Sequence, residues 1–305
     1  FGMTQLSAEG LSDIVVLGQA SELPSPATLN FPVAVSTMTD FEVATSEINA
    51  YYEQFEGMLV TAPQTLTVTE YFQLPRYGEI LLSQGGRLRQ FTDVDFPSID
   101  GYTAHQIEAM QRKLILDDQD NIQNAPLVNN TPVYHPEPGF SVDNYVRGGD
   151  TIDKLTGVLH WSWAGFSGTD AWRVRPVEGV FPVSFFEDNP RISSPEPLGP
   201  LTVAVFNLSN YFDTVDDGVN LCGPSLILAC RGADSVAELT RQTVKLVKAL
   251  CQMNADIAGL IEIENNPSTS LGSLTAALNA EPSCGPYQYI NTGTMGTDAI
   301  KVGLI

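Results

Sequence analysis

No apolar run in this chain approaches the ~18 residues needed to cross a bilayer as a helix. No basic segment followed by a short apolar core stands at the start, so no signal peptide is visible. Residue 1 is Phe rather than Met, and the natural N-terminus is expected upstream. Basic residues are scarce: 15 Lys and Arg stand against 36 Asp and Glu, a net charge of −21. That balance argues against a broad nucleic-acid-binding face, which needs clustered Lys and Arg. It leaves a phosphodiester substrate open, because a divalent cation and a few local Arg can invert the field inside one cleft. His105, His135 and His160 lie far in sequence from the cysteines, and no CxxC occurs, so a zinc site is not expected.

What is present is a chain of 305 residues, 43% hydrophobic, long enough for two or three domains. Residues 1–48 read as the C-terminal part of a β domain, with Ile14–Leu17 as a buried strand. Residues 49–187 form a second β-rich domain of short β-branched and aromatic runs between Gly and Pro turns, such as Leu66–Phe72 and Glu79–Leu82. Thr103 to Leu116 is the helical candidate there, with Ile107, Met110 and Leu114 on one face. Residues 188–200 are a Pro- and Ser-rich linker. From residue 201 the pattern is α/β. Strands are expected at 201–206, 256–263, 287–290 and 299–305, with helices from Ser235 to Met253 and near Thr269–Asn279. Ser235 and Glu238 form a capping box, and Val236, Leu239, Val244, Val247 and Leu250 make the buried stripe.

Cys222 and Cys230 close a short loop containing Gly and Pro. A staple there is the preferred reading and implies an oxidising compartment. Four free thiols are the alternative, and a Cys251–Cys284 pair has weaker support.

Chemistry concentrates at two strand ends. Asn207 follows the apolar run from Leu201, and Glu262 follows the run Ile257–Ile261. Amides and carboxylates at the carboxyl ends of sheet strands commonly build a hard-metal site. A carboxylate leaving a buried strand needs a cation or a dense donor set. Asn207 could instead cap a turn, and Asn207-Leu208-Ser209 also fits a glycosylation acceptor. Glu264 and Asn265 could be the ligands in place of Glu262, since strand alternation puts Glu262 and Glu264 on one side. Arg241 and Gln242 read as a solvated helix face. Trp161, Trp163 and Trp172, with Arg173 and Arg175, could stack bases, though core packing is the commoner role.

These residues resemble a known family. Phe206-Asn207-Leu208-Ser209-Asn210-Tyr211-Phe212, Cys222-Gly223-Pro224 with Cys230-Arg231-Gly232-Ala233, Arg241-Gln242 with Lys245, Gly259 to Asn265, and Gly296 to Ile305 look like the ExeM/NucH-type secreted bacterial nucleases of the endonuclease/exonuclease/phosphatase superfamily. Upstream, Phe55 to Thr61, Leu66 to Glu70, Arg76 to Glu79 and Leu116 to Asp118 are similar to the β region preceding that nuclease domain. Gly2 to Leu6 resembles the end of an OB-fold-like domain.

The resemblance implies a multidomain protein: a β-rich OB-like region, then at 201–305 the first half of a DNase I-like four-layer α/β sandwich. It implies Glu262 as the anchor of Mg²⁺, with Mn²⁺ or Ca²⁺ as alternatives. Asn207 would hold the attacked phosphate or the metal shell. The family's later Asp-x-Asn and Asp-His pairs are not matched, so the 305 residues alone are expected to be inactive. The expectation is a secreted, extracellular metal-dependent endonuclease, a hydrolase acting on DNA or RNA, with no membrane span. Another phosphodiesterase of the superfamily is one alternative. A non-catalytic extracellular binding protein using the OB-like region is the other. Base preference, endo or exo action and oligomeric state are not legible.

Overall fold

The computed structural model describes residues 22–125, 133–141, 144–162, 171–177, 179–190 and 199–305, with Gly10, Val15 and Gly18. The Gly2–Leu6 segment, the Ile14–Leu17 strand apart from Val15, and Trp163 lie outside the described residues. The fold is β-rich and mixed α/β, with few helices. The chain divides into two units, Phe1–Pro190 and Arg191–Ile305.

The first unit is built on alternation. In Leu155–Ser162, Leu155, Gly157 and Leu159 are buried while Thr156, Val158 and His160 are half-buried. Such strands bury one face and need a sheet to satisfy their backbone groups. The strands are β1 (Ala27–Thr28), β2 (Leu59–Ala62), β3 (Leu66–Glu70), β4 (Ile80–Gln84), β5 (Lys113–Leu116), β6 (Thr151–Ile152), β7 (Leu155–Ser162), β8 (Ala171–Arg175) and β9 (Phe185–Phe186). They form one nine-stranded sheet in the order β1-β2-β7-β8-β5-β4-β3-β6-β9. Pairing is antiparallel except for β1–β2 and β5–β8. Leu66, Leu82, Leu116 and Leu159 are fully buried in its core, each contributing about 1.5–3 kcal/mol.

Residue 48, the expected boundary between two β domains, lies inside helix α1 (Phe41–Glu53). Ile48, Leu29, Phe31 and Val33 belong to the same core as β2, β3 and β7. Asp40 caps α1 by accepting from the Val43 N–H (3.0 Å), and Ala44, Ile48 and Tyr52 form its buried stripe. Its β-branched and aromatic residues hide it from propensity reasoning. After the one-turn α2 (Leu74–Tyr77), α3 runs Ile99–Arg112, capped by Ser98. The expected continuation to Leu116 is instead strand β5: Leu114 and Leu116 alternate inward and pair with β4.

The second unit holds a three-stranded sheet of β10 (Val203–Tyr211), β13 (Ile257–Glu264) and β14 (Ile300–Leu304), in the order β10-β13-β14. β10 and β13 are parallel, β13 and β14 antiparallel. The short β11 (Leu221–Cys222) and β12 (Leu228–Ala229) form a separate hairpin. Helices α4 (Val236–Met253) and α5 (Thr269–Ala280) pack on one sheet face through Leu246, Leu250, Leu271 and Leu274, against Leu208 and Leu260. The stripe of α4 differs from expectation: Val236 and Val244 are exposed, and Leu246 takes their place. Ser235 accepts from the Glu238 N–H, while the Glu238 carboxylate takes the Asp234 N–H. Residues 287–290 form no strand, although the Ile290 N–H reaches the Leu304 carbonyl (3.0 Å). Val203, Val205, Ile261, Val302 and Leu304 are exposed.

Both disulfides are formed, Cys222–Cys230 and Cys251–Cys284. Among the described residues no helix is long and apolar enough to cross a membrane.

Candidate functional site

β10 does not end at Phe206 as its apolar run suggests; it continues to Tyr211 through a distortion. Asn207 pairs with Ile261 and Tyr211 with Ile263, so Leu208, Ser209 and Asn210 stand opposite the single residue Glu262. Ser209 (φ 56°), Asn210 (φ 58°) and Glu262 (φ 62°) all adopt the left-handed backbone conformation. For residues other than Gly each such conformation costs about 1–3 kcal/mol, and it persists only where the surroundings enforce it. The β13–β14 register shifts at the same level, between Leu260 and Ile263. Both strands are therefore irregular at one point, and Asn207 and Glu262 meet there.

The Asn207 Nδ2 donates to Glu262 Oε1 at 2.9 Å, and Asn207 Oδ1 accepts from the Ser209 N–H at 2.8 Å. Asn207 is exposed and Glu262 half-buried. Asn207 thus turns a donor toward the carboxylate, and its oxygen is engaged locally. Glu262 Oε2 has no hydrogen-bond partner among the described residues. Mg²⁺ binds through one or two carboxylates and keeps several waters. One unengaged carboxylate oxygen fits the anchor of such an ion. Among the described residues, no group of three or more His, Cys, Asp and Glu could hold a metal ion. Asn207 and Glu262 together present one amide and one carboxylate.

Glu264 and Asn265, the alternative ligands, are spent on structure. The Glu264 carboxylate, 3% exposed, accepts from the Asp213 and Thr214 N–H groups and from the Thr214 and Ser270 hydroxyls. Cys222 Sγ lies 3.6 Å from its Oε1. Asn265 donates to the Met295 and Asp298 carbonyls and accepts from the Met295 N–H. Lys301, in β14, donates to the Asn266 and Gly293 carbonyls, both at 2.6 Å. Its burial lowers its ammonium pKa. These bonds tie the 291–298 loop and the disulfide loop to the end of β13, beyond Glu262.

Arg241 is exposed and pairs with Glu238 at 3.4 Å, as a solvated helix face does. Gln242 is different, and sequence reasoning missed it. Its Nε2 reaches the carbonyls of Leu208 (3.3 Å), Ser209 (3.1 Å) and Asn210 (3.4 Å). The one sequence signal was its place four residues before the buried Leu246.

The stacking surface does not form among the described residues. Trp172 is core, stacked on Tyr52 and bonded through Nε1 to Asn49, and Trp161 packs edge-on against it. Arg173 is fully buried, bonded to Glu79 and to Asp117 (2.7 Å), and Arg175 pairs with Asp117 at 3.0 Å. Here the two arginines neutralise buried carboxylates and present no cationic surface.

No family model matches the chain, and comparison with curated proteins and with solved structures found no match.

Proposed function

We propose that this chain carries the metal-anchoring part of a secreted, Mg²⁺-dependent phosphodiester hydrolase, a nuclease acting on DNA, with RNA as the alternative substrate. The observation that carries the reading is the Asn207–Glu262 contact, made at three left-handed, non-glycine positions on adjoining strands. Backbone strain concentrated beside an exposed amide and a half-buried carboxylate supports a functional role.

In this reading Glu262 anchors the hydrated ion through its unengaged oxygen. The bound ion would polarise the phosphoryl oxygens and offset charge on the leaving group. Asn207 holds the Glu262 carboxylate with one N–H and directs its second toward a phosphate oxygen. Positioning of that kind contributes by orienting the attacked phosphate. Residues 1–305 contain no counterpart for the water-activating Asp-His pair of the family they resemble, so the anchor alone does not complete the reaction.

The finer fold reading is a β-rich OB-like first unit followed by the first half of a DNase I-like sandwich. It is supported by the second unit's sheet, which has helices on one face and exposed Val203, Val205 and Val302 beside the uncovered strands. A sheet with apolar residues on both sides is built to lie between two layers. The two disulfides support an oxidising, extracellular location.

The test is plasmid nicking with Mg²⁺ by the product of the complete gene. Cleavage should vanish with chelator and fall by most of its rate in Glu262→Gln. Residues 1–305 alone should not exceed background. Chelator-resistant cleavage, or a Glu262→Gln variant as fast as wild type, would overturn the reading.

A further inference from the structure

The bulge in β10 leaves an accounting problem. Between the Asn207↔Ile261 and Tyr211↔Ile263 pairs, three residues on β10 face one on β13, so the ladder has no separate partner on β13 for each of Leu208, Ser209 and Asn210. Carbonyls removed from a ladder need other donors. A single side chain from another element reaches these carbonyls: Gln242 of α4, whose Nε2 lies 3.3, 3.1 and 3.4 Å from the three oxygens and shares its two N–H donors among them. Inside the same bulge the Ser209 N–H donates to Asn207 Oδ1 at 2.8 Å, and that bond turns Asn207 Nδ2 to Glu262 at 2.9 Å. Helix, bulge, amide and carboxylate form one chain of contacts.

We propose that Gln242 is the positioning residue of this site, fixing the rotamer of Asn207 through the Ser209–Asn210 bulge without touching Glu262. Two features set it apart from general helix-to-sheet packing. Its bonds go to the left-handed residues and their neighbour. The apolar packing of α4 is carried by other residues, Leu246, Val247 and Leu250, which are buried. The orientation of Asn207 follows from the geometry alone; any consequence for catalysis rests on the nuclease reading.

The test uses the whole chain, ¹⁵N-labelled. In Gln242→Met, which keeps length and helix propensity but has no donor, the Asn207 side-chain amide signals should move to positions typical of a free amide. The Ser209 backbone amide should exchange at least tenfold faster, while the amides of Leu246–Leu250 keep their protection. Gln242→Lys, which restores a donor head, should return both signals toward wild type. In the complete gene product Gln242→Met should lower kcat by roughly 10- to 100-fold with little change in KM. Unchanged Asn207 and Ser209 signals in Gln242→Met overturn the proposal. If that variant does not fold, Gln242→Lys decides: a folded Lys variant with free-amide Asn207 signals also overturns it. Shifted signals alongside full activity in Glu262→Gln would leave the positioning role standing and remove the nuclease reading.

Discussion

Glu262 and Glu264 stand two residues apart in β13 and share no partner. Glu262 is half-buried, left-handed in backbone and bonded to Asn207. Glu264 is buried and saturated by donors from Asp213, Thr214 and Ser270. A regular strand would put both on one side. The left-handed residue breaks the two-residue period, and its effect is visible in the core, where Leu260 and Ile263, three apart, pack in the same cluster. Of two adjacent carboxylates, one holds the fold and the other faces outward beside an amide.

The two carboxylates should therefore separate stability from chemistry. Glu264→Gln turns an NH₂ toward buried donors and should cost about 3 kcal/mol, so β13 amides should exchange about 100-fold faster. Glu262→Gln should change stability by less than about 1 kcal/mol. Hydrogen exchange resolved along β13 checks both. Unchanged protection in Glu264→Gln would show that its donors are dispensable.

The first unit should respond to pH through two opposed buried groups, His135 and Asp118, in addition to Glu79, whose carboxyl pKa burial raises, and His160, whose imidazole pKa burial lowers. Burial pushes the His135 imidazole from 6.5 down to about 4, against the pull of Asp117. Its stability contribution is complete above pH 6.5 and is lost as pH falls through 4. Burial, with Asp117 and Asp120 nearby, pushes the Asp118 carboxyl from 3.8 up to about 7, against the Asp120 N–H and Arg175. Its contribution is complete below pH 3.8 and is lost as pH rises through 7. Between about pH 4 and 6.5 the two slopes cancel, each being about 1.4 kcal/mol per pH unit. Asp118→Asn should expose the His135 slope, with stability falling on acidification. His135→Phe should expose the opposite one. Urea unfolding followed by tryptophan fluorescence reads this unit, since all three Trp lie before residue 190. A flat profile in Asp118→Asn would contradict the assignment.

The disulfides should differ in weight. Cys222–Cys230 spans 8 residues and Cys251–Cys284 spans 33. Loop-closure entropy gives about 2.5 kcal/mol for the shorter bond and about 3.7 for the longer. A non-reduced digest should show both bonds. Replacing Cys251 and Cys284 together by Ala should destabilise the second unit more than replacing Cys222 and Cys230. Free alkylatable thiols at these positions in native protein would contradict both the bonds and the extracellular reading.

Much of the second unit was legible because its signals agree. Apolar runs marked β13 and β14 closely and the start of β10, though not its extension to Tyr211, and Ser235 with Glu238 marked the start of α4. Asn207 and Glu262 stood out as polar residues ending apolar runs, and the structure brings them together. Less legible were features that depend on a neighbour. The bulge at Ser209–Asn210 has no Gly to announce it, and Gln242 acquires its role only because α4 lies beside that bulge. In the first unit, α1 was hidden by Val43, Thr45 and Tyr51. Leu114 and Leu116 fit a helix face or a strand equally well until β4 supplies a partner. The burial of Arg173 could not be read locally, because its carboxylates come from Glu79 and Asp117, far along the chain.

In the proposed reading Glu262, held by Asn207, anchors a divalent cation. This reading is tested most directly by titrating the ¹⁵N-labelled chain with Mn²⁺, which takes the carboxylate and water ligands that Mg²⁺ takes. Paramagnetic broadening should centre on the Asn207 side-chain amide and the amides of Ile261–Ile263, compete with Mg²⁺, and disappear in Glu262→Gln. Signals untouched by Mn²⁺, or broadened equally in Glu262→Gln, would contradict it.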